Sequence, residues 1–483
     1  MKALIRKLIK ASILYIFVLQ LSIPIFIYPR SDDIIEQINI LLDQTDPRVD
    51  ENIPIVKSSI EASKGEKDWT LILYISADND LRNFAIRNIK QMAKIGSNQN
   101  INIVVHLDIK LSGNKKATKR YYIDKNKIIH VNSQDQHSQR MDSGSPKTLI
   151  SCCKWAINNF PAKHYGLILW NHGTGALDPR RGRVIRLADL FTFNPEINKV
   201  ELDRSINFME FLSRKTDSNR GICWDDTTGN YLTNQDLDHA LGVIYKNILK
   251  KKKLDFIAFD ACLMQMIEVA SIIKKYANIM IASQEVILGT GFNYVETLKP
   301  FQTQSLTTQE FAKHIIKSYE KTYSRVTNDF TLSALDLSMM EKLEENLDDV
   351  AKTLVFALKK QKNKTVKKAI AASRSKLVCT HFDEPSFIDL HHLYKNLLLT
   401  MKHMKLKNRN DEEKFKKILT YLLTEGYELI EKMALARTAG KNLSKAKGIS
   451  IYFPTRRIYF SYRNLTFCKK HNWILFLTQY LNS

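Results

Sequence analysis

Cysteine is scarce: the 483 residues hold six, two of them adjacent at Cys152-Cys153, and no CxxC pair occurs. That excludes a disulfide-stapled scaffold and leaves a reduced set of packed thiols with room for one reactive sulfur. HExxH is absent as well. His381-x-x-Glu384 and His391-His392 lack the ligand set zinc takes and read as surface or helix-packing histidines. No repeat with a period of roughly 20–50 residues is found, which excludes a solenoid or propeller. Basic residues outnumber acidic ones, 73 to 50, for a net charge of +23. This excess has no aromatic interleaving and no nucleic-acid motif, even in its denser runs Lys250–Lys253 and Lys359–Lys368. It reads as a solvated lysine-rich surface, with nucleic acid not among the expected partners.

What is present supports a folded chain, since 44% apolar residues can build a substantial core. Four parts are expected. Residues 1–30 place Lys2, Arg6, Lys7 and Lys10 ahead of an apolar run from Ala11 to Tyr28. This is the pattern of an export signal, about long enough to cross a bilayer, either retained as a membrane anchor or cleaved. Residues 31–67 are polar and charged and read as a tether or pro-segment. Residues 68–305 alternate strand and helix patterns, and 306–483 are mostly helical.

The strand patterns are Thr70–Ser76, Ile101–Leu107, Gly166–Trp170, Asp255–Phe259 and Asn278–Ser283. Each is apolar on both faces, as strands of a covered parallel sheet are. Helices are expected at Asp80–Ile95, from Ser145-Pro146 to Asn159, from the capping box Thr233-x-x-Asp236 to Leu249, and at Leu263–Tyr276. Further helices cover Gln309–Tyr323, Met339–Leu358, Phe387–Lys402 and Glu412–Ala434, and a late strand, Gly448–Phe453, is expected to return to the sheet. The alternation predicts an α/β fold with helices on both faces of the sheet.

Two strand ends carry reactive residues. The apolar run Gly166–Trp170 stops at Asn171-His172-Gly173-Thr174-Gly175, and Asp255–Phe259 stops at Asp260-Ala261-Cys262. Ligands of open α/β sheets bind at the carboxyl ends of strands. Gly173 can bring a bare N–H against a ligand. Cys262 is read as opening the helix that follows, whose positive end favours a thiolate. Taken singly, a histidine after a strand is often structural and a lone cysteine is often a small buried hydrophobe. The pairing of both at strand ends, about 90 residues apart, points to chemistry.

These segments resemble the clostripain-like cysteine peptidases, relatives of caspases, legumains and gingipains. The likeness runs in order from about Asp68 to Pro454. It takes in Tyr74–Leu81, Pro161–Gly175, Asp260–Met264 with Glu268, Ala282–Glu285 with Gly289 and Gly291, and Gly448–Pro454. The resemblance implies a caspase-like three-layer sandwich with a mostly parallel sheet and a helical C-terminal extension. It implies a Cys262–His172 dyad acting on protein or peptide substrates through an acyl-enzyme, and no cofactor. The N–H groups of Gly173 and Cys262 would form the oxyanion hole, where one donor is typically worth about 2.7–4 kcal/mol. In this clan the histidine need not take the thiol proton itself. The family typically cuts after Arg or Lys, which makes Asp260 the candidate pocket carboxylate; the alternative is a cap on the following helix. Asp225-Asp226 could support that pocket or bind calcium, although two carboxylates fall short of the roughly six to eight oxygens calcium takes. The basic stretch Asp178–Arg220 is either a self-processing segment or a solvated insertion. The competing reading of the whole chain is a catalytically inactive, membrane-tethered binding module on the same fold.

Overall fold

The computed structural model describes residue 38 and residues 53–58, 65–111, 115–131, 140–177, 190–205, 221–359 and 364–483. The expected export segment 1–30 lies outside the described residues. So do most of 31–67 and, within the basic stretch, residues 178–189 and 206–220.

One ten-stranded sheet organises the chain, in the order β1-β5-β4-β3-β2-β6-β11-β12-β13-β15. Its centre is parallel: β3 (Ile101–Lys110), β2 (Lys67–Ala77), β6 (Ala162–Trp170), β11 (Leu254–Asp260) and β12 (Ala277–Ala282). These are the five strands expected from the sequence. All seven residues of β11 are buried, as are the last nine of the eleven in β2. Burial on both faces explains why these strands read as unbroken apolar runs. The chain leaves β2 for β3 on one side and returns to β6 on the other, so the strand order reverses between β2 and β6, the kind of position at whose carboxyl ends ligands of open α/β sheets bind.

Antiparallel strands extend both edges. On one side are β4 (Lys116–Asp124) and β5 (Lys127–Val131), with β1 (Ile55–Ser58) added in parallel from within the expected tether. On the other are β13 (Thr331–Asp336) and β15 (Ala434–Ala439), both from the C-terminal region. The expected late strand is corrected here. Within Gly448–Phe453, β16 (Ser450–Tyr452) pairs with β14 (Phe387–Asp389) in a separate two-stranded sheet. Its edge is already engaged, because Ser450 N donates to Gln265 O at 2.9 Å and holds β16 over the Cys262 turn rather than beside β15. Two small hairpins, β7–β8 (Phe191–Asn194 and Lys199–Leu202) and β9–β10 (Ile222–Asp225 and Asn230–Leu232), sit between the His172 and Cys262 segments.

Helices cover both faces, and their ends obey local rules. Thr233 and Thr307 each close a capping box, with Asp236 and Glu310 respectively. Pro146 sits in the first turn of the Pro146–Asn159 helix. The Thr308–Val326, Met340–Lys359 and Arg409–Met433 helices bury one stripe each, as amphipathic helices on a sheet do.

A buried charge cluster ties β9 to the sheet. Lys116 Nζ of β4 lies 2.6 Å from Asp108 Oδ2 of β3, 3.7 Å from Asp78 Oδ2, and in a very short contact with Asp225 Oδ2 of β9. All four side chains are buried. Burial opposes the charge on Asp225, yet Lys116 and its other donors hold that carboxyl down at about 2. Asp225, a candidate calcium ligand from the sequence, is thus spent on a lysine. Among the described residues no group of three His, Cys, Asp or Glu side chains is arranged to hold a metal ion.

Removing the ammonium leaves three buried carboxylates facing one another. Lys116→Ala is expected to lower the unfolding free energy at pH 7 by about 3–5 kcal/mol, read from urea denaturation. The Asp225 contribution is present above its unfolded pKa and disappears as pH falls from about 4 through about 2, so the gap between variant and wild type narrows over that window.

Candidate active site

Two adjacent parallel strands set the site. In the register of β6 and β11, Trp170 stands opposite Asp260. His172 and Cys262 each lie two residues further on. The two loops touch: a Cβ on Gly173 would lie 2.6 Å from Cys262 O and 2.9 Å from Met264 Cγ, so only glycine fits. His172, Cys262 and Asp260 line one narrow cleft, with Leu81, Ile287 and Gly289 among its other walls.

Asn171, which the sequence reading passed over, anchors the histidine loop. Its N–H donates to Asp260 O at 3.3 Å. Its Oδ1 accepts from Trp224 N at 2.9 Å, and its Nδ2 bonds closely to Ser76 O. Asn171 Nδ2 also lies 3.4 Å from Trp224 O, and Asn79 Nδ2 reaches Ser76 O and Trp224 O at 3.1 Å each. β9 is therefore clasped against the ends of β2 and β6, and the Lys116 cluster stands directly behind it.

Asp80 was also missed as a site residue. It lies in the turn after β2, and its Oδ1 is 2.9 Å from His172 Nε2. The imidazole is 4% exposed, so this carboxylate fixes both the orientation and the tautomer of a buried ring. The quoted motif Tyr74–Leu81 contained Asp80, but only the β2–β6 pairing brings it to His172.

The helix expected to begin at Cys262 does not. The helix spans Ile267–Ile273, and Cys262 sits in a turn where Leu263 has a left-handed φ of 63°. The backbone there bonds to the neighbouring loop instead: Leu263 N donates to Glu285 O at 3.2 Å and Gln265 N to Ser283 O at 2.9 Å. These tertiary bonds displace the first helical turn, and with it the dipole argument for a thiolate. Burial pushes the Cys262 thiol well up. The Ile287 N–H, 3.3 Å from Sγ, opposes this, while Asp383, Glu285 and Asp260 reinforce it.

The loop after β12 covers the sulfur. Besides the Ile287 N–H, the Ile287 carbonyl oxygen lies 3.7 Å from Sγ. The loop is pinned by Glu285, whose Oε2 pairs with Arg204 Nη1 at 2.7 Å and whose Oε1 accepts from Asp383 N at 3.0 Å. Arg204 also reaches Asp329 Oδ1 at 3.1 Å. At the far end Tyr323 donates its hydroxyl to Gly291 O at 2.9 Å.

Asp260 lies under that loop. Its Oδ2 accepts from Phe292 N and from the Tyr294 hydroxyl, both at 2.9 Å, and it caps no helix. Its Oδ1 is buried without a partner among the described residues. Burial pushes the carboxyl up to about 7, against those two hydrogen bonds. Gly291, at φ 62°, packs onto it: a Cβ there would fall 2.5 Å from Oδ2. Among the described residues the Gly173 and Cys262 N–H groups donate to no other group of the chain. Asp226 closes onto the Trp224 indole and Lys110, not onto the cleft. His392 Nδ1 accepts from Thr380 N at 3.1 Å, in keeping with a packing histidine.

Comparison with known proteins bears on this geometry. The model of the clostripain family, peptidase family C11, matches residues 73–199 and 209–480. Clostripain of Hathewaya histolytica is 24% identical over 352 residues, which are 63% of this chain and 60% of that protein. The matched region thus spans less than two thirds of that relative. A secreted C11 cysteine protease from Bacteroides thetaiotaomicron, solved with an irreversible peptide inhibitor, superposes with a TM-score of 0.55 at 17% identity, over 84% of this chain and 99% of that one. An inactive zymogen C11 protease from Parabacteroides distasonis gives 0.50 at 18% identity, over 86% and 99%. At such identities the structures speak to the fold, which is of the C11 protease type.

With its thiol held protonated, unliganded Cys262 is expected to react with iodoacetamide at pH 7.5 at least about tenfold more slowly than a free cysteine of pKa near 8.5. Peptide mapping of the alkylated protein reads this, and labelling at the free-thiol rate would contradict the burial described above. By the family match over most of its length, the chain belongs to the clostripain family.

Proposed function

We propose that the protein is a cysteine endopeptidase that cleaves after Arg or Lys through Cys262 and His172. The observation carrying this reading is their shared cleft at matched positions of adjacent parallel strands. Cys262 Sγ attacks the scissile carbonyl carbon as its proton passes, directly or through water, to His172, the basic group in the same cleft. The tetrahedral oxyanion is met by the N–H groups of Gly173 and Cys262. His172 then protonates the departing amine, leaving a thioester, and later takes a proton from the water that hydrolyses it. Asp80 keeps the imidazole turned toward this work.

Asp260 supplies the specificity. A buried carboxyl with one oxygen unpartnered is suited to a guanidinium or ammonium, whose arrival would favour the ionised form. Gly291 covers that carboxyl, so a basic side chain reaches it only when the Ile287–Gly291 loop shifts. The Arg204–Glu285 pair resists that shift. Such a closed arrangement fits an enzyme made latent and then processed in the basic stretch 178–220. Export through the N-terminal segment accords with the secreted C11 relative. Among the described residues no helix is long and apolar enough to cross a membrane.

Peptides ending in Arg, Lys, Asp or Asn before a reporter group test the assignment. Cleavage after Arg and Lys is expected, with none in Cys262→Ala. Asp80→Ala is expected to lower kcat at least about tenfold, within the roughly 10²–10⁴-fold that acid–base groups contribute. Asp260→Asn is expected to lower kcat/KM for Arg peptides about 30-fold or more, from the roughly 2–5 kcal/mol of a buried charge pair. It should also abolish a fall in KM as pH rises through about 7, where Asp260 ionises. Cleavage after Asp, or activity in Cys262→Ala, would overturn the reading. Intact-mass measurement tests processing: wild type should yield fragments cut within 178–220, and Cys262→Ala should stay whole.

A further inference from the structure

Among the described residues, Lys116 and Arg374 are the lysine and arginine side chains that are buried. Lys116 faces three carboxylates, and even Arg204, whose side chain is 41% exposed, pairs with two. Arg374 directly follows the Lys364–Ser373 helix and is 5% exposed, and no acidic side chain of the described residues supports it. Its Nη2 donates to Phe453 O at 2.8 Å, and the guanidinium lies 5.0 Å from the centre of the Phe453 ring. Its Nε is buried without an acceptor. Burial pushes the group down, and only Tyr480 and Cys379, both uncharged near neutral pH, oppose this. Carbonyls at a helix end offset part of the cost of a buried charge, but a cation buried without a carboxylate still carries a desolvation penalty.

Arg374 lines a cavity of ≈ 690 Å³ whose walls are the Glu384–Ser386 loop and the Pro454–Tyr459 segment. Lys376, Arg456 and Arg457 line it too, all three exposed. The cavity has a fixed frame. His381 bridges Arg374 O and Pro385 O at 2.7 and 2.8 Å, and the Tyr452 hydroxyl donates to Arg457 O at 3.3 Å. Its one carboxylate, Glu384, accepts from Ser386 N at 3.1 Å and from Ser386 Oγ at 2.5 Å. Four cations and one carboxylate thus line the cavity.

We propose that this cavity binds a small phosphate-bearing anion, with Arg374 as the inner contact and Arg456 and Arg457 closing on it from the rim. Guanidinium forks match pairs of phosphate oxygens, and a multiply charged ligand uses all the cations at once. A single carboxylate would neutralise one of them and leave the others facing each other. The site is separate from the Cys262 cleft and requires nothing of the peptidase chemistry.

Isothermal titration of the full chain, carried as Cys262→Ala to keep it intact, tests this with sodium pyrophosphate as the probe. Sodium chloride at matched ionic strength and an acetylated peptide with one glutamate serve as the other arms. Saturable binding of pyrophosphate is expected, weakened at least tenfold in Arg374→Gln and at least fivefold in the Arg456→Gln/Arg457→Gln double variant. Both rim arginines are exposed, so the double variant decides the matter should Arg374→Gln fail to fold. The proposal is overturned by a response no larger than that to chloride, by unchanged affinity in the double variant, or by preference for the glutamate peptide.

Discussion

Everything about the site depends on the pairing of β6 with β11. A parallel ladder advances both strands in step, so fixing Trp170 opposite Asp260 also fixes where the chain leaves each strand. Each then runs two residues further to a side chain with chemistry, His172 on one and Cys262 on the other. The approach is close enough that Gly173 can carry no side chain against the Cys262 carbonyl. A register slip of one residue would turn every side chain of the slipped strand to the other face of the sheet and separate the pair.

Around this seam the molecule spends buried polar groups on holding loops. Asn171 and Asn79 share the carbonyls of Ser76 and Trp224, and the Lys116 cluster backs Trp224 through its neighbour Asp225. The imidazole thus stands on a rigid mount, with Asp80 setting its rotation. The sulfur is treated differently. It lies beneath a loop held at one end by Arg204 and at the other by Tyr323, with both the N–H and the carbonyl of Ile287 against it. The histidine is held in place and the cysteine is covered, and burial raises both the thiol and the Asp260 carboxyl, the latter to about 7.

The paired and unpaired cations divide by purpose. Lys116 and Arg204 cross between elements distant in sequence, and each is compensated by carboxylates, so both act as ties. Arg374 carries no such compensation and faces an open, basic cavity, which sets it apart from the structural pairs. A net charge of +23 makes basic surface common here, but it does not by itself bury a guanidinium.

The sequence by itself determined the parallel centre of the sheet, because strands covered on both faces must be apolar at every position. It also determined the helix start at Thr233, because capping is a contact between residues three apart. His172, Gly173, Asp260 and Cys262 were legible as strand-end residues for the same local reason. What required the tertiary structure were relations between distant segments. The edge strands β4, β13 and β15 depend on partners far along the chain. The turn at Cys262 depends on hydrogen bonds to Ser283 and Glu285 that no helical periodicity of Leu263–Ile273 can foresee. Asp80, Asn171 and Arg204 gained their places in the site only when strands and loops met. Local patterns fix which residues will be buried or capped, but burial then sets ionisation and contact through neighbours that only the folded chain supplies.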